Sequence, residues 1–158
     1  MKVQKSLRAR ALDILSRRET SRAELKRKLA PYAESEEEID GILAEFAERR
    51  WQSDERYTEA YIHSKSCKYG SRRMRQDLLQ KGVDADTIRG LLPDSESELD
   101  NAVRVIRKKF KQPAADFHEK QKQIRFMAYR GFDMEIIQKA LRRAWAEDDE
   151  GGASPSNF

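Results

Sequence analysis

The chain repeats itself with a period of 49 residues, and this constrains its fold more than any single motif does. Shifting the sequence by 49 brings Leu29 onto Leu78 and Met127, and Ile39 onto Ile88 and Ile137. The next turn follows, with Ile42, Leu91 and Ala140 in one column and Leu43, Leu92 and Leu141 in another. Positions 39, 42 and 43 have the i, i+3, i+4 spacing of one helical face. A repeat of this length is one supersecondary unit that buries its apolar face only with its neighbours.

The punctuation repeats as well. Gly82-Val83-Asp84 and Gly131-Phe132-Asp133 each offer a glycine to end one helix and an aspartate to cap the next. The apolar residue between them stands where a staple to Ile88 or Ile137 would start. In the first repeat the equivalent residues are Ala33-Glu34-Ser35, so glycine and staple are missing, and Ser35 with Glu38 forms a capping box instead. Ser21 and Glu24 repeat that box at the start of the preceding helix. Pro31, Pro93 and Pro113 fall between helical segments, and no run alternates with period two for long enough to be a strand.

The first helices align less cleanly. Their stripes are Leu7, Ala11, Leu12 and Leu15; Tyr57, Ala60 and Tyr61; and Val103, Ile106 and Phe110, with extra residues around Gln112 to Glu119. The expected fold is all-α, with three tandem three-helix repeats at 1–52, 53–94 and 95–146, and a flexible acidic tail at 147–158. Stacked repeats of this kind form an elongated, curved array with a broad surface, which favours a binding protein over an enzyme with a deep pocket.

Charged residues make up 38% of the chain, well above the roughly 25% usual for globular proteins, so most helices show a wide face to water. Lys and Arg exceed Asp and Glu by only 32 to 28, and the placement of charge therefore matters more than its sum. One cysteine excludes an internal disulfide and a cysteine-based zinc site. The N-terminus has no apolar stretch long enough for a leader or a membrane span, so a soluble, cytoplasmic protein is expected; a monomer is expected as well.

Few residues invite catalysis. His63 and Cys67 are four apart on a predicted helix, but two ligands do not make a metal site, and this spacing is common by chance. There is no phosphate-binding glycine loop and no nucleophile elbow. The acidic run Glu36 to Glu38 complements a helix start, and Asp148 with Asp149 belongs to the tail. No cofactor is implied.

Basic residues are the more informative set. Lys65, Lys68, Arg72, Arg73, Arg75 and Lys81 gather at the middle helix of the second repeat, and Lys120, Lys122, Arg125 and Arg130 at that of the third. Arg107, Lys108, Lys109 and Lys111 precede them, while acidic residues collect at 34–40, 84–86 and 96–100. A charged helix face is ordinarily just solvated. Two basic middle helices in adjacent repeats are harder to set aside, because parallel stacking would align them against a phosphate backbone or an acidic protein groove. Tyr69, Phe126, Tyr129 and Phe132 lie near them; Phe132 reads as a staple, whereas Tyr69 and Tyr129 are open to either role.

Three blocks carry a family resemblance. Ala11-Leu12 through Leu15, then Arg17-Arg18-Glu19, Ser21-Arg22-x-Glu24-Leu25 and Lys28-Leu29, resembles the opening of RecX-family proteins. Asp54-x-x-Tyr57, Ala60-Tyr61, Tyr69-Gly70, Met74-Arg75-Gln76-x-Leu78 and Lys81-Gly82-Val83 are similar to the family's most recognisable block. Lys120-x-Lys122, Arg125-Phe126-Met127 and Arg130-Gly131-Phe132, with Ile137, resemble its third. The match runs to about Trp145. Two positions depart: Ser71 stands where the family often has proline and is expected to cap a helix, and Glu55 where a second aspartate is common.

The resemblance implies a non-enzymatic regulator that docks in the groove of the RecA recombinase filament on single-stranded DNA. It would restrain ATP hydrolysis, strand exchange and the co-protease activity behind the SOS response, with direct DNA contact weak and no membrane involved. The alternative is a stand-alone helix-turn-helix-like DNA-binding protein, since a three-helix unit with a basic helix describes that domain too. A scaffold for an unrelated protein is the third reading.

Overall fold

The computed structural model describes residues 4–152, with side chains to residue 146. Among the described residues there are nine α-helices and no strand: α1 Leu7–Arg17, α2 Arg22–Leu29, α3 Glu36–Glu48, α4 Asp54–Lys65, α5 Ser71–Gln80, α6 Ala85–Leu91, α7 Ser95–Lys109, α8 Phe117–Tyr129 and α9 Met134–Gly152. A 3-10 turn, Ala30–Tyr32, holds Pro31 after α2. The backbone of α9 continues to Gly152, past the tail boundary at 146 set by composition, because no helix breaker precedes Gly151. Residues 153–158 of the expected tail lie outside the described residues.

The 49-residue columns are core columns. Leu29, Leu78 and Met127 are each fully buried, and Ile39, Ile88 and Ile137 are 4%, 1% and 0% exposed. By contact the chain forms two compact units, one from the N-terminal region to Ile62 with Gln76–Leu91, the other from His63–Arg75 with Leu92 onward. The core of the first is built on Leu7, Ala11, Leu25, Leu29, Ile39, Leu43 and Phe46. That of the second is built on Ala102, Val103, Ile106, Met127, Phe132, Ile137 and Ala140. Truncating one such Leu or Ile to Ala costs about 2–5 kcal/mol. In α4 the buried residues are Tyr57 and Thr58, while Ala60 is exposed, so the expected stripe turns by about one residue there.

Gly82 and Gly131 hold φ of +82° and +93°. In each turn the glycine N–H donates to the carbonyl three residues back, and the next residue's N–H to the carbonyl five back: Gly82 to Leu79 and Val83 to Leu78, then Gly131 to Ala128 and Phe132 to Met127. This is the Schellman pattern, with Val83 and Phe132, 3% and 1% exposed, as the buried apolar residue that follows each glycine. A third copy ends α3 without glycine. Arg50 has φ +59°, its N–H donates to the Ala47 carbonyl and that of Trp51 to Phe46, and the Trp51 and Phe46 rings pack edge to face at 5.3 Å. Ala33 in the first repeat is extended, with φ −91° and ψ 147°.

Helix starts are capped locally or from a distance. Ser6, Ser35, Asp94 and Asp116 accept from the N–H three residues on, at 2.8 to 3.2 Å. Hydrogen bonds from Ser97 hold the Asp94 carboxyl below the ordinary aspartate range. Ser21 accepts from Glu24, but the Glu24 carboxylate does not complete a capping box: it turns to Arg18 at 3.0 Å, with Lys28 at 3.7 Å and Lys81 at 4.0 Å. Ser71 is the first residue of α5, not its cap, for the Gly70 carbonyl accepts from Met74 and the buried Ser71 hydroxyl has no partner.

Two long-range joints share one register. In the first unit the Ser21 hydroxyl donates to the Lys81 carbonyl at 2.8 Å, the Arg22 N–H donates to Asp54 Oδ1 at 2.8 Å, and a Cβ on Gly82 would lie 2.4 Å from that of Ala23. In the second the Gly70 N–H donates to the Arg130 carbonyl at 2.8 Å, the Ser71 N–H donates to Glu98 Oε1 at 2.8 Å, and a Cβ on Gly131 would lie 2.3 Å from that of Arg73. Shifted by 49, Ser21 becomes Gly70, Arg22 becomes Ser71, Lys81 becomes Arg130 and Gly82 becomes Gly131, while the residue that faces the glycine moves on by one, to Arg73 instead of Arg72. The middle helices of the first two repeats, α2 and α5, thus start on the glycine turn of the next repeat, and each takes a carboxylate from that repeat's first helix, Asp54 or Glu98.

Candidate functional site

The second joint gathers cations and aromatic rings. Its origin is Gly70, where a Cβ would lie 2.4 Å from the Gly131 carbonyl oxygen, so only glycine permits the two backbones to meet. That approach brings Tyr69 beside the last turn of α8. The Arg130 guanidinium lies 5.9 Å from the Tyr69 ring and 4.9 Å from the Phe126 ring. One turn into α5, Arg73 stacks over Tyr69 at 4.0 Å and lies over Tyr129 at 5.9 Å. Lys109 of α7 approaches Phe126 at 5.4 Å, and Phe110 packs edge to face on the same ring. Cation–ring contacts of this kind contribute about 0.5–1 kcal/mol each at exposed sites.

Two concavities adjoin the cluster. One of about 240 Å³ is lined by Cys67, Lys68, Val105, Lys108, Lys109, Phe126 and Arg130. The other, about 570 Å³, has Phe110, Pro113 and Phe126 among its apolar lining and Lys109, Lys111 and Lys122 among its charges. Glu119 also lines it, but its carboxylate accepts from the Ala115 N–H and caps α8.

The electrostatic setting separates the two units. In the first, most cations are matched: Arg8 with Glu45, Arg18 with Glu24, Lys26 with Glu36 and Asp40, Arg56 with Glu19. Hydrogen bonding to Arg8 holds the Glu45 carboxyl below its ordinary range. In the second, no ion pair among the described residues involves Lys68, Arg73, Lys108, Lys109, Lys122, Arg125 or Arg130. Their charge remains available to an anion.

Of the ten basic residues singled out from the sequence, the structure joins Arg73 and Arg130 through Tyr69, and Lys68 with Arg130 around the smaller concavity. Lys122 lines the larger one, and Arg125 is exposed one turn before Tyr129 on α8. Arg72 donates to the Ala128 carbonyl at 3.0 Å and so also closes the end of α8. Arg75 and Lys120 are exposed, and Lys65 ends α4 half-buried, its carbonyl accepting from Lys68 and Tyr69. Lys81 lies in the other unit, beside Glu24. Lys108 and Lys109 join the cluster from a first helix instead of a middle one, and their run with Arg107 and Lys111 marks them in the sequence. Arg107 itself donates to the Ala144 carbonyl. Among the described residues no three His, Cys, Asp or Glu come together as metal ligands, and no helix is long and apolar enough to cross a membrane.

Fold and surface together define a tandem three-helix repeat protein with a basic, aromatic-studded joint. Residues 53–92 match the family model described as the second three-helix domain of RecX, and residues 96–141 match the third. A protein from Neisseria meningitidis serogroup C named Regulatory protein RecX is 65% identical over 152 residues, covering 96% of this chain and 99% of its own. One of the same name from Chromobacterium violaceum is 48% identical, covering 92% and 94%. The crystal structure of RecX from Lactobacillus salivarius has a similar fold, with a TM-score of 0.76 at 19% identity over 87% of this chain and 94% of that one. The chain belongs to the RecX family, a family of regulatory proteins.

Proposed function

We propose that this chain binds the RecA recombinase filament on single-stranded DNA and restrains its ATPase, strand-exchange and co-protease activities, acting as a cytoplasmic monomer without catalysis of its own. The observation that carries the reading is the contrast in charge: the first unit matches most of its cations, while the second sets a group of them on rings and carbonyls, open to a polyanion or an acidic groove. The contact surface is Lys65, Lys68, Arg73, Arg75, Lys120, Lys122, Arg125 and Arg130, extended by Lys108 and Lys109. The three repeats, at 1–52, 53–94 and 95–146, would lie along the filament.

RecA ATPase on single-stranded DNA, titrated with the parent and with a K122E/R125E variant, tests this. Both residues are exposed and carry no contact that holds the fold, unlike Arg72 and Arg130. A normally melting variant with inhibition reduced at least tenfold supports the reading. Unchanged inhibition would move the binding surface elsewhere. Binding to bare duplex as tight as to RecA-coated strands would favour the stand-alone DNA-binding protein instead.

A further inference from the structure

Tyr129 closes α8 with 77% of its surface exposed, more than any other large apolar side chain of the described residues. Packing does not explain a tyrosine there. It lies on one helical ridge with Lys122 and Arg125, at i, i+3 and i+7, and all three are exposed. Arg73 lies over its ring at 5.9 Å and over Tyr69 at 4.0 Å, so the guanidinium is shared between two rings. The high exposure leaves ring surface open to a ligand. Cations that follow a phosphate backbone, ending at an open aromatic face backed by an arginine, are the components of a platform for unpaired bases.

We infer that Tyr129 is a base-stacking residue: a single strand runs along Lys122 and Arg125, and one unpaired nucleobase seats on the open face of the Tyr129 ring, with Arg73 backing that ring. This deepens the function proposed above and rests on its choice of single-stranded nucleic acid as a partner. Stacking needs a ring and no hydroxyl, so the site takes any base, and purines, with the larger face, better than pyrimidines. Duplex DNA, whose bases are already stacked, gains nothing from Tyr129.

The test uses the full chain without RecA. Fluorescence anisotropy compares a labelled oligodeoxyadenylate with an abasic strand of the same length and charge, for the parent, Tyr129→Phe and Tyr129→Leu. The expected result is a loss of roughly fivefold or more in affinity for the base-bearing strand in Tyr129→Leu, with Tyr129→Phe close to the parent and the abasic strand bound equally by all three. Equal losses on both strands would mean that Tyr129 acts only by holding Arg73, and no loss on either would leave it a solvated residue; each overturns the inference. A parent that bound neither strand yet inhibited RecA would overturn the stacking site and leave the proposed function standing. Base-selective binding without RecA inhibition would do the reverse.

Discussion

Arg50 carries a side chain in left-handed backbone space, φ +59°, where the other two turns of its type use glycine. Its carbonyl accepts from Arg56 and the Trp51–Phe46 contact closes the turn, so the surrounding structure holds it in place. Arg50→Gly removes the Cβ conflict and should raise stability by up to about 1 kcal/mol, read from the urea midpoint. The opposite change is severe at the joints. Gly131→Ala meets both Cβ and backbone nitrogen of Arg73, at 2.3 and 2.7 Å, whereas Gly82→Ala meets the Cβ of Ala23 alone at close range. Both should destabilise by more than the roughly 1–2 kcal/mol of a left-handed side chain, Gly131→Ala by the larger amount. Ala23→Gly should recover part of the loss in Gly82→Ala and none in Gly131→Ala; urea denaturation of the four variants checks the coupling.

At the scale of elements, helix starts are where charge bears most directly on stability. Glu98 is 8% exposed and its carboxylate accepts from the Ser71 N–H, so Glu98→Ala leaves the first turn of α5 without its cap and should cost about 1–3 kcal/mol by chemical denaturation. Asp94 is a solvent-facing cap with a lowered folded pKa. Its contribution is therefore present above about pH 4, the ordinary aspartate value, and lost as the pH falls through the lower folded value. Asp94→Asn should flatten that part of a melting-temperature profile while changing little at neutral pH.

These elements were legible to different degrees. The columns through Leu29 and Ile39, and the turns at Gly82 and Gly131, follow from local spacing and from the one residue type that tolerates positive φ. Nothing in the composition of Arg50 announces a left-handed turn. The partnership of Ser21 with Lys81, and of Gly70 with Arg130, crosses 60 residues and has no local signature. For the same reason the basic residues could be counted from the sequence, but not divided into those that join the rings, the one that closes the end of α8 and the one that lies beside Glu24.

For the whole molecule, a net charge of +4 predicts little, because the two units spend their cations differently. If Lys122, Arg125 and Arg130 each neutralise one phosphate, binding to a bare single strand should weaken with salt at a log–log slope of roughly −2. Arg125→Glu should make that slope shallower, while Arg18→Glu, whose guanidinium answers Glu24 in the first unit, should leave it unchanged. Anisotropy titrations across a salt series measure both.

The recurring joint also sets a rule for altering copy number. A repeat receives its predecessor on a glycine turn, and in the first repeat that position is Ala33, extended and preceded by a proline-bearing turn. A repeat presents itself to its successor through a middle-helix start that takes a carboxylate from that successor, Asp54 for α2 and Glu98 for α5, and α8 has already closed its own with Asp116 and Glu119. Grafting a fourth copy therefore means re-cutting a terminal unit first: a left-handed glycine at 33 to seat a newcomer ahead of the array, or an uncapped α8 to lean on one placed behind it.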